Sequence, residues 1–142
     1  MNFRIVSALV PLLMAASACA AGPAAKVKPI SVDKSASFLI DEATTEKLWG
    51  DNLPAKVKKL YPPSRWRFVS DVGGGFNESK TCVVTARAML LPLRGKTVVF
   101  APERSATAFD AVPSLSKEQC QELARVKLKE AIQSIASSLA AG

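Results

Sequence analysis

The chain encodes a small α+β domain: an antiparallel meander of three to four strands, short helices before it, and a long C-terminal helix packed on one face, with one disulfide. Three observations carry that expectation. Residues 65–72 and 80–91 alternate their side chains with a period of two and are joined by a short glycine-rich stretch, the pattern of antiparallel strands. Residues 116–139 repeat apolar side chains every three or four positions, the pattern of an amphipathic helix. Cys82 falls on the apolar side of the second strand and Cys120 on the apolar stripe of the helix, so both point into one interface.

In chain order, the first feature is an export signature. Arg4 supplies a short positive segment, residues 5–18 form an apolar run broken only by Ser7, Pro11 and Ser17, and small residues follow. Such a run is shorter than the roughly 20 residues a bilayer-spanning helix needs. Residues 1–20 therefore read as a signal peptide, 21–35 as a flexible linker rich in Ala, Pro and Lys, and 36–142 as a single α+β domain. Two products stay open. Ala16-Ser17-Ala18 and Ala18-Cys19-Ala20 both suit an ordinary signal peptidase and give a periplasmic protein. Alternatively Cys19 is lipidated and the product is an outer-membrane lipoprotein, although Ala16 stands where such signals usually carry leucine.

Residues 36–40 form a short apolar run expected as an edge strand. Leu48, Trp49, Leu53, Val57 and Leu60 follow at helical spacing, interrupted by Gly50 and Pro54. This predicts short helices over 43–50 and 54–61, the second with Pro54 in its first turn, where the missing N–H costs little, and Pro62-Pro63 as its stop. In the strand over 65–72, Trp66, Phe68, Ser70 and Val72 share one side, with Arg65, Arg67, Val69 and Asp71 on the other. Residues 73–79 read as a turn or mobile loop. The strand over 80–91 presents Cys82, Val84, Ala86, Ala88 and Leu90 on one face; 97–101 is a third strand and 104–111 a weaker fourth. Ser116 and Gln119 form a capping box before the final helix, whose stripe is Cys120, Leu123, Ala124, Leu128, Ala131, Ile132, Ile135 and Leu139.

Charge and cysteine content narrow the function. The chain has 19 Lys and Arg, 12 Asp and Glu and no histidine, a net charge of +7. Without residues 1–20, which carry only Arg4, the balance is 18 against 12, or +6. A basic protein of this kind favours acidic proteins or anionic envelope components as partners. With Cys19 cleaved or lipidated, Cys82 and Cys120 remain as an even pair in an oxidising compartment, for which a disulfide is expected. The absence of histidine removes both the Ser/His and the Cys/His route to an activated nucleophile, and no group of His, Cys and carboxylates has metal-ligand spacing. The expectation is therefore no catalytic residue, no metal and no cofactor.

Two surfaces are candidates for a partner. Arg65, Arg67 and Arg87 share the sheet face opposite the helix, where guanidinium groups between apolar side chains can grip carboxylates or phosphates. Gly74 and Phe76 lie in the glycine-rich stretch, which lacks the following helix and the Lys-Ser/Thr ending of a phosphate loop and reads instead as a hairpin tip. Nucleic acid is disfavoured because Trp66 and Phe68 point inward and leave few aromatics for stacking; a membrane is reached only through a lipid on Cys19. The leading expectation is a non-catalytic exported envelope protein. The rivals are an inhibitor or immunity-type protein that blocks a periplasmic hydrolase through residues 73–80, so that replacing Gly74 and Phe76 abolishes inhibition without harming the fold, and a lipid-anchored envelope assembly factor.

Overall fold

The structure is a computed structural model that describes residues 31–142; the signal region, Cys19 and residues 21–30 of the expected linker lie outside the described residues. Its elements are β1 (Ser31–Asp33), α1 (Glu42–Asn52), α2 (Ala55–Leu60), β2 (Trp66–Phe76), β3 (Thr81–Arg94), β4 (Thr97–Val98), β5 (Arg104–Pro113) and α3 (Lys117–Ala141). The class is α+β, as the patterning predicts, with one disulfide, and β3 is the centre of the sheet. Along one edge β3 pairs antiparallel with β2 from Phe76↔Cys82 to Trp66↔Pro92. Along the other it pairs with β4 and then β5.

The face of β3 read from its alternation is the one the helix covers. Cys82, Val84, Ala86, Ala88 and Leu90 are fully buried, and α3 lays Cys120, Ala124, Leu128, Ala131, Ile132, Ile135, Ala136 and Leu139 against them. Small Ala86 and Ala88 let the helix come close to the strand, while Leu128, Ile132 and Ile135 supply bulk, each contributing about 1.5–3 kcal/mol on burial. The capping box forms: the Gln119 N–H donates to Ser116 Oγ at 3.2 Å and the Ser116 N–H to Gln119 Oε1 at 2.7 Å. Cys82 and Cys120 are bonded, their Cα atoms 5.8 Å apart.

The short helices close the same layer. Trp49 of α1 packs on Phe68 with ring centroids 5.1 Å apart, and its indole N–H donates to the buried Ser70 Oγ at 2.7 Å. Asp41 caps α1 by accepting from the Thr44 N–H at 2.8 Å, a start one residue earlier than expected. Pro54 is the N-cap of α2 rather than part of its first turn.

Four expectations are corrected. Residues 36–40 are not an edge strand. The Leu39 and Ile40 N–H groups both donate to the Ala36 carbonyl, so the run turns and drops Leu39 and Ile40 into the core. The edge strand is β1, inside the stretch expected as linker, running parallel to β2 with Val32 beside Val69. The run 73–79 is not a loop: β2 continues to Phe76 and the turn is confined to 77–80. The strand expected over 97–101 is only two residues, and the weak fourth strand is a full ten-residue partner of β3. The sheet face opposite α3 carries a second apolar cluster, Val69, Met89 and Leu91, flanked by Val32 and Val98.

Among the described residues no helix is long and apolar enough to cross a membrane. The disulfide fits an oxidising compartment. It joins residues 38 apart in sequence, for which loop entropy gives roughly 4 kcal/mol. Replacing both cysteines by alanine should accordingly lower the unfolding free energy by about 2–5 kcal/mol in urea denaturation; a variant as stable as the parent would show that the clamp adds nothing.

Candidate functional site

The three arginines do not form one site. Arg67 is half-buried and turned back on the chain: its guanidinium donates to the Pro63 carbonyl and, at 2.9 Å, to the Trp66 carbonyl, which fastens the start of β2 to the Pro62-Pro63 stop. Arg65, the residue before β2, is exposed, its carbonyl accepting from the Leu93 N–H at 2.8 Å. Arg87 is exposed but stands directly opposite Asp71, a carboxylate in register with it. Arg67 faces Leu91, four residues along β3 from Arg87, a separation of about 13 Å filled by Val69 and Met89. The expected basic strip is thus split by an apolar cluster.

Gly74 and Phe76, by contrast, belong to a cleft. Phe76 pairs with Cys82, which places it on the helix side of the sheet beside the disulfide. Facing it is Phe38, whose carbonyl accepts from Gln121 Nε2 of α3 at 2.8 Å. Between them lies a cavity of about 230 Å³ walled by Phe38, Leu39, Gly75, Phe76 and Cys120, with Lys117 and Gln121 from the first turns of α3. Phe38 and Phe76 remain 54% and 48% exposed, so two aromatic faces look onto water at the mouth of an apolar hollow. The glycines make this geometry. At Gly74, with φ +126°, a Cβ would lie 2.0 Å from the Val83 carbonyl oxygen, and at Gly75 a Cβ would rest 3.5 Å from the Phe38 ring. Strand β2 can pair with β3 along this path because Gly74 has no Cβ to strike Val83 and both glycines adopt a positive φ that side chains oppose.

The neighbouring turn is closed by hydrogen bonds. The Thr81 N–H donates to Asn77 Oδ1 at 2.9 Å and the Lys80 N–H to the Asn77 carbonyl at 3.0 Å, with Lys80 in the left-handed region at φ 55°. The chain between β5 and α3 is tied to it, since the Ser114 N–H donates to the Lys80 carbonyl at 3.2 Å.

A second hollow of about 300 Å³, between residues 37–44 and α3, has carboxylates on its walls, but each is already engaged. Bonds from the Thr44 N–H and hydroxyl hold the Asp41 carboxyl below its ordinary range. The Glu118 backbone N–H and the Ser116 hydroxyl do the same for Glu118, and Arg125 for Glu122. Lys127 is shifted upward by Glu130 and Asp110. These displaced titrations arise from helix caps and surface ion pairs. Among the described residues no three His, Cys, Asp or Glu side chains are grouped to hold a metal ion.

Sequence reasoning singled out Gly74 and Phe76 but missed Phe38, Lys117 and Gln121, which only the turn at 36–40 and the disulfide bring beside them. It also took Gly74 for a position that tolerates replacement. A Gly74→Ala variant should instead lose about 1–3 kcal/mol of stability or more, because the strained φ and the Val83 contact both oppose a methyl group. Gly73→Ala, where a Cβ meets open space, should stay within about 1 kcal/mol of the parent. Equal denaturation midpoints for the two variants would contradict this account of the β2 path.

Comparison of the chain with protein-family models finds no match, and comparison with curated proteins finds none either.

Proposed function

We propose that this chain is a non-catalytic binding module of the bacterial envelope, folded in the oxidising periplasm, that holds an acidic polypeptide segment at the Phe38/Phe76 cleft. The observation that carries the reading is a pair of half-exposed phenylalanines flanking an apolar hollow against the disulfide, with Lys117 on its wall. Such a hollow accepts an apolar side chain, and the ammonium beside it favours a carboxylate next to that side chain in the partner. The balance of +6 that remains without residues 1–20, 18 Lys and Arg against 12 Asp and Glu, draws acidic partners to the molecule as a whole. Export is supported by the sequence of residues 1–22 and by a disulfide that a reducing cytosol would not maintain.

The cleft is favoured over the arginine face because its two phenylalanine rings stay half-exposed beside an apolar hollow, whereas Arg67 is bonded to backbone carbonyls and is parted from Arg87 by the Val69 and Met89 cluster. The test uses the oxidised protein as bait in an acidic-protein fraction of envelope extract, with two paired variants run beside it. Phe38→Asp with Phe76→Asp should reduce the captured protein more than about tenfold, a loss of about 1.4 kcal/mol or more. Arg65→Glu with Arg87→Glu should change it much less. The reverse ranking, with circular dichroism showing both variants folded, would move recognition to the arginine face.

A further inference from the structure

The geometry points to a second binding surface, the outer edge of β5, and we propose that it pairs with the same edge of a second copy of this chain around a two-fold axis at Thr107. Which way the β5 backbone points follows from one bond and the register. The Ser114 N–H donates to the Lys80 carbonyl at 3.2 Å, and these residues continue the β3–β5 register by one pair beyond Thr81↔Pro113. The single Ser114-to-Lys80 bond sets the phase, in agreement with the Asn77 N–H to Thr81 and Leu93 N–H to Arg65 bonds that turn the odd-numbered residues of β3 to β2, and by alternation Ala106, Ala108, Asp110 and Val112 direct their N–H and C=O groups to β3. Ser105, Thr107, Phe109 and Ala111 then direct theirs away from the sheet. An independent contact agrees: the Ala111 N–H donates to Asp110 Oδ1 at 2.9 Å, not to a strand.

This outer edge is guarded at both ends and bare between. Asp110 occupies the Ala111 donor and Pro113 has none, while at the start of β5 the chain bulges through Phe100, Ala101 and Pro102, shifting the register on β3 by three residues between β4 and β5. Residues 105–109, Ser-Ala-Thr-Ala-Phe, carry no charge and no proline, and among the described residues no strand pairs with them. Edge strands left open to water ordinarily carry Lys, Pro or an inward charge against pairing. Phe109, at 76% exposure, stands on the sheet face just inside this edge, opposite Thr85 and in line with Gly73.

The charges select the occupant and the register. With Thr107 opposite the partner's Thr107, Ser105 faces the partner's Phe109, so three opposed pairs form, each exchanging two hydrogen bonds. In that register Arg104 faces the partner's Asp110, whose carboxylate also meets Lys127 of its own chain at 3.3 Å, and the symmetry repeats the match, giving two opposite-charge cross-strand contacts at the ends of an uncharged window. Moving the axis to Phe109 sets Thr107 against the engaged Ala111 donor and Ser105 against Pro113. Moving it to Ser105 runs the pairing into the bulge. The surface is separate from the aromatic cleft, so either can fail without the other.

Sedimentation of the disulfide-bonded protein over a dilution series should show a monomer–dimer equilibrium. Thr107→Pro, which removes an N–H that β3 does not use, should weaken association more than about tenfold while circular dichroism stays unchanged. Arg104→Asp and Asp110→Arg should each run as monomers alone and dimerise when mixed in equal amounts, because only the mixed pair matches charges at both ends. A parent protein that stays monomeric, a Thr107→Pro variant that dimerises normally, or a mixture that fails to associate would overturn the proposal. A parent that takes up an added extended peptide at this edge, but not itself, would assign the edge to another chain and overturn it equally.

Discussion

The seating of α3 on β3 is the constraint from which the remaining structure follows. One long helix covers the alternate residues of one central strand, and a sulfur–sulfur bond fixes the two at the end where β3 begins and α3 begins. Strand β3 can be central because its two edges serve different partners: its odd-numbered residues bond to β2 and its even-numbered ones to β5. Helices α1 and α2, between β1 and β2, fill the remaining half of the same layer, with Trp49 joined to Ser70 so that neither buried polar atom is left without a partner. Fixing the disulfide end also fixes what surrounds it. Gln121, one residue beyond Cys120, reaches the Phe38 carbonyl, and the turn at 77–80 is tied to the chain that leads into α3.

The parts of this architecture that were legible in the amino-acid order are those set by local periodicity. The alternation in β3, the stripe of α3 and the capping box at Ser116 depend on neighbours within a few residues, and they place Cys82 and Cys120 on facing surfaces before any fold is known. What was not legible depends on distant pairing. Ser31–Asp33 is a strand only because residues 68–70 lie alongside it, far along the chain. The glycine run looks like a loop by composition, yet β3 supplies partners through Phe76 and the lack of side chains then becomes what permits close contact. Val69 alternates correctly to the face opposite α3. That face is nevertheless buried around it, since β1 and β4 deliver Val32 and Val98 to the same spot.

The candidate site divides along the same line. Phe76 and Gly74 could be named from the sequence, but the cleft needs Phe38, and Phe38 arrives through a turn whose apolar residues resemble a strand. The arginines were visible as types and not as contacts. Arg67 is held by carbonyls at the Pro62-Pro63 stop, and Arg87 finds Asp71 across the ladder. Lys127 meets Asp110 at 3.3 Å, and apolar side chains are exposed at Phe38, Phe76 and Phe109.

Amide hydrogen exchange, measured residue by residue on the oxidised protein and again after reduction, tests the central claim most directly. If the sulfur bond holds α3 against β3, then β3 and α3 exchange slowest in the oxidised protein, and reduction accelerates exchange in the first turns of α3, at Phe76–Val84 and in the turn at 36–40. Equal protection of those segments with and without the bond, or an α3 that exchanges as fast as the 77–80 turn in the oxidised protein, would contradict the account.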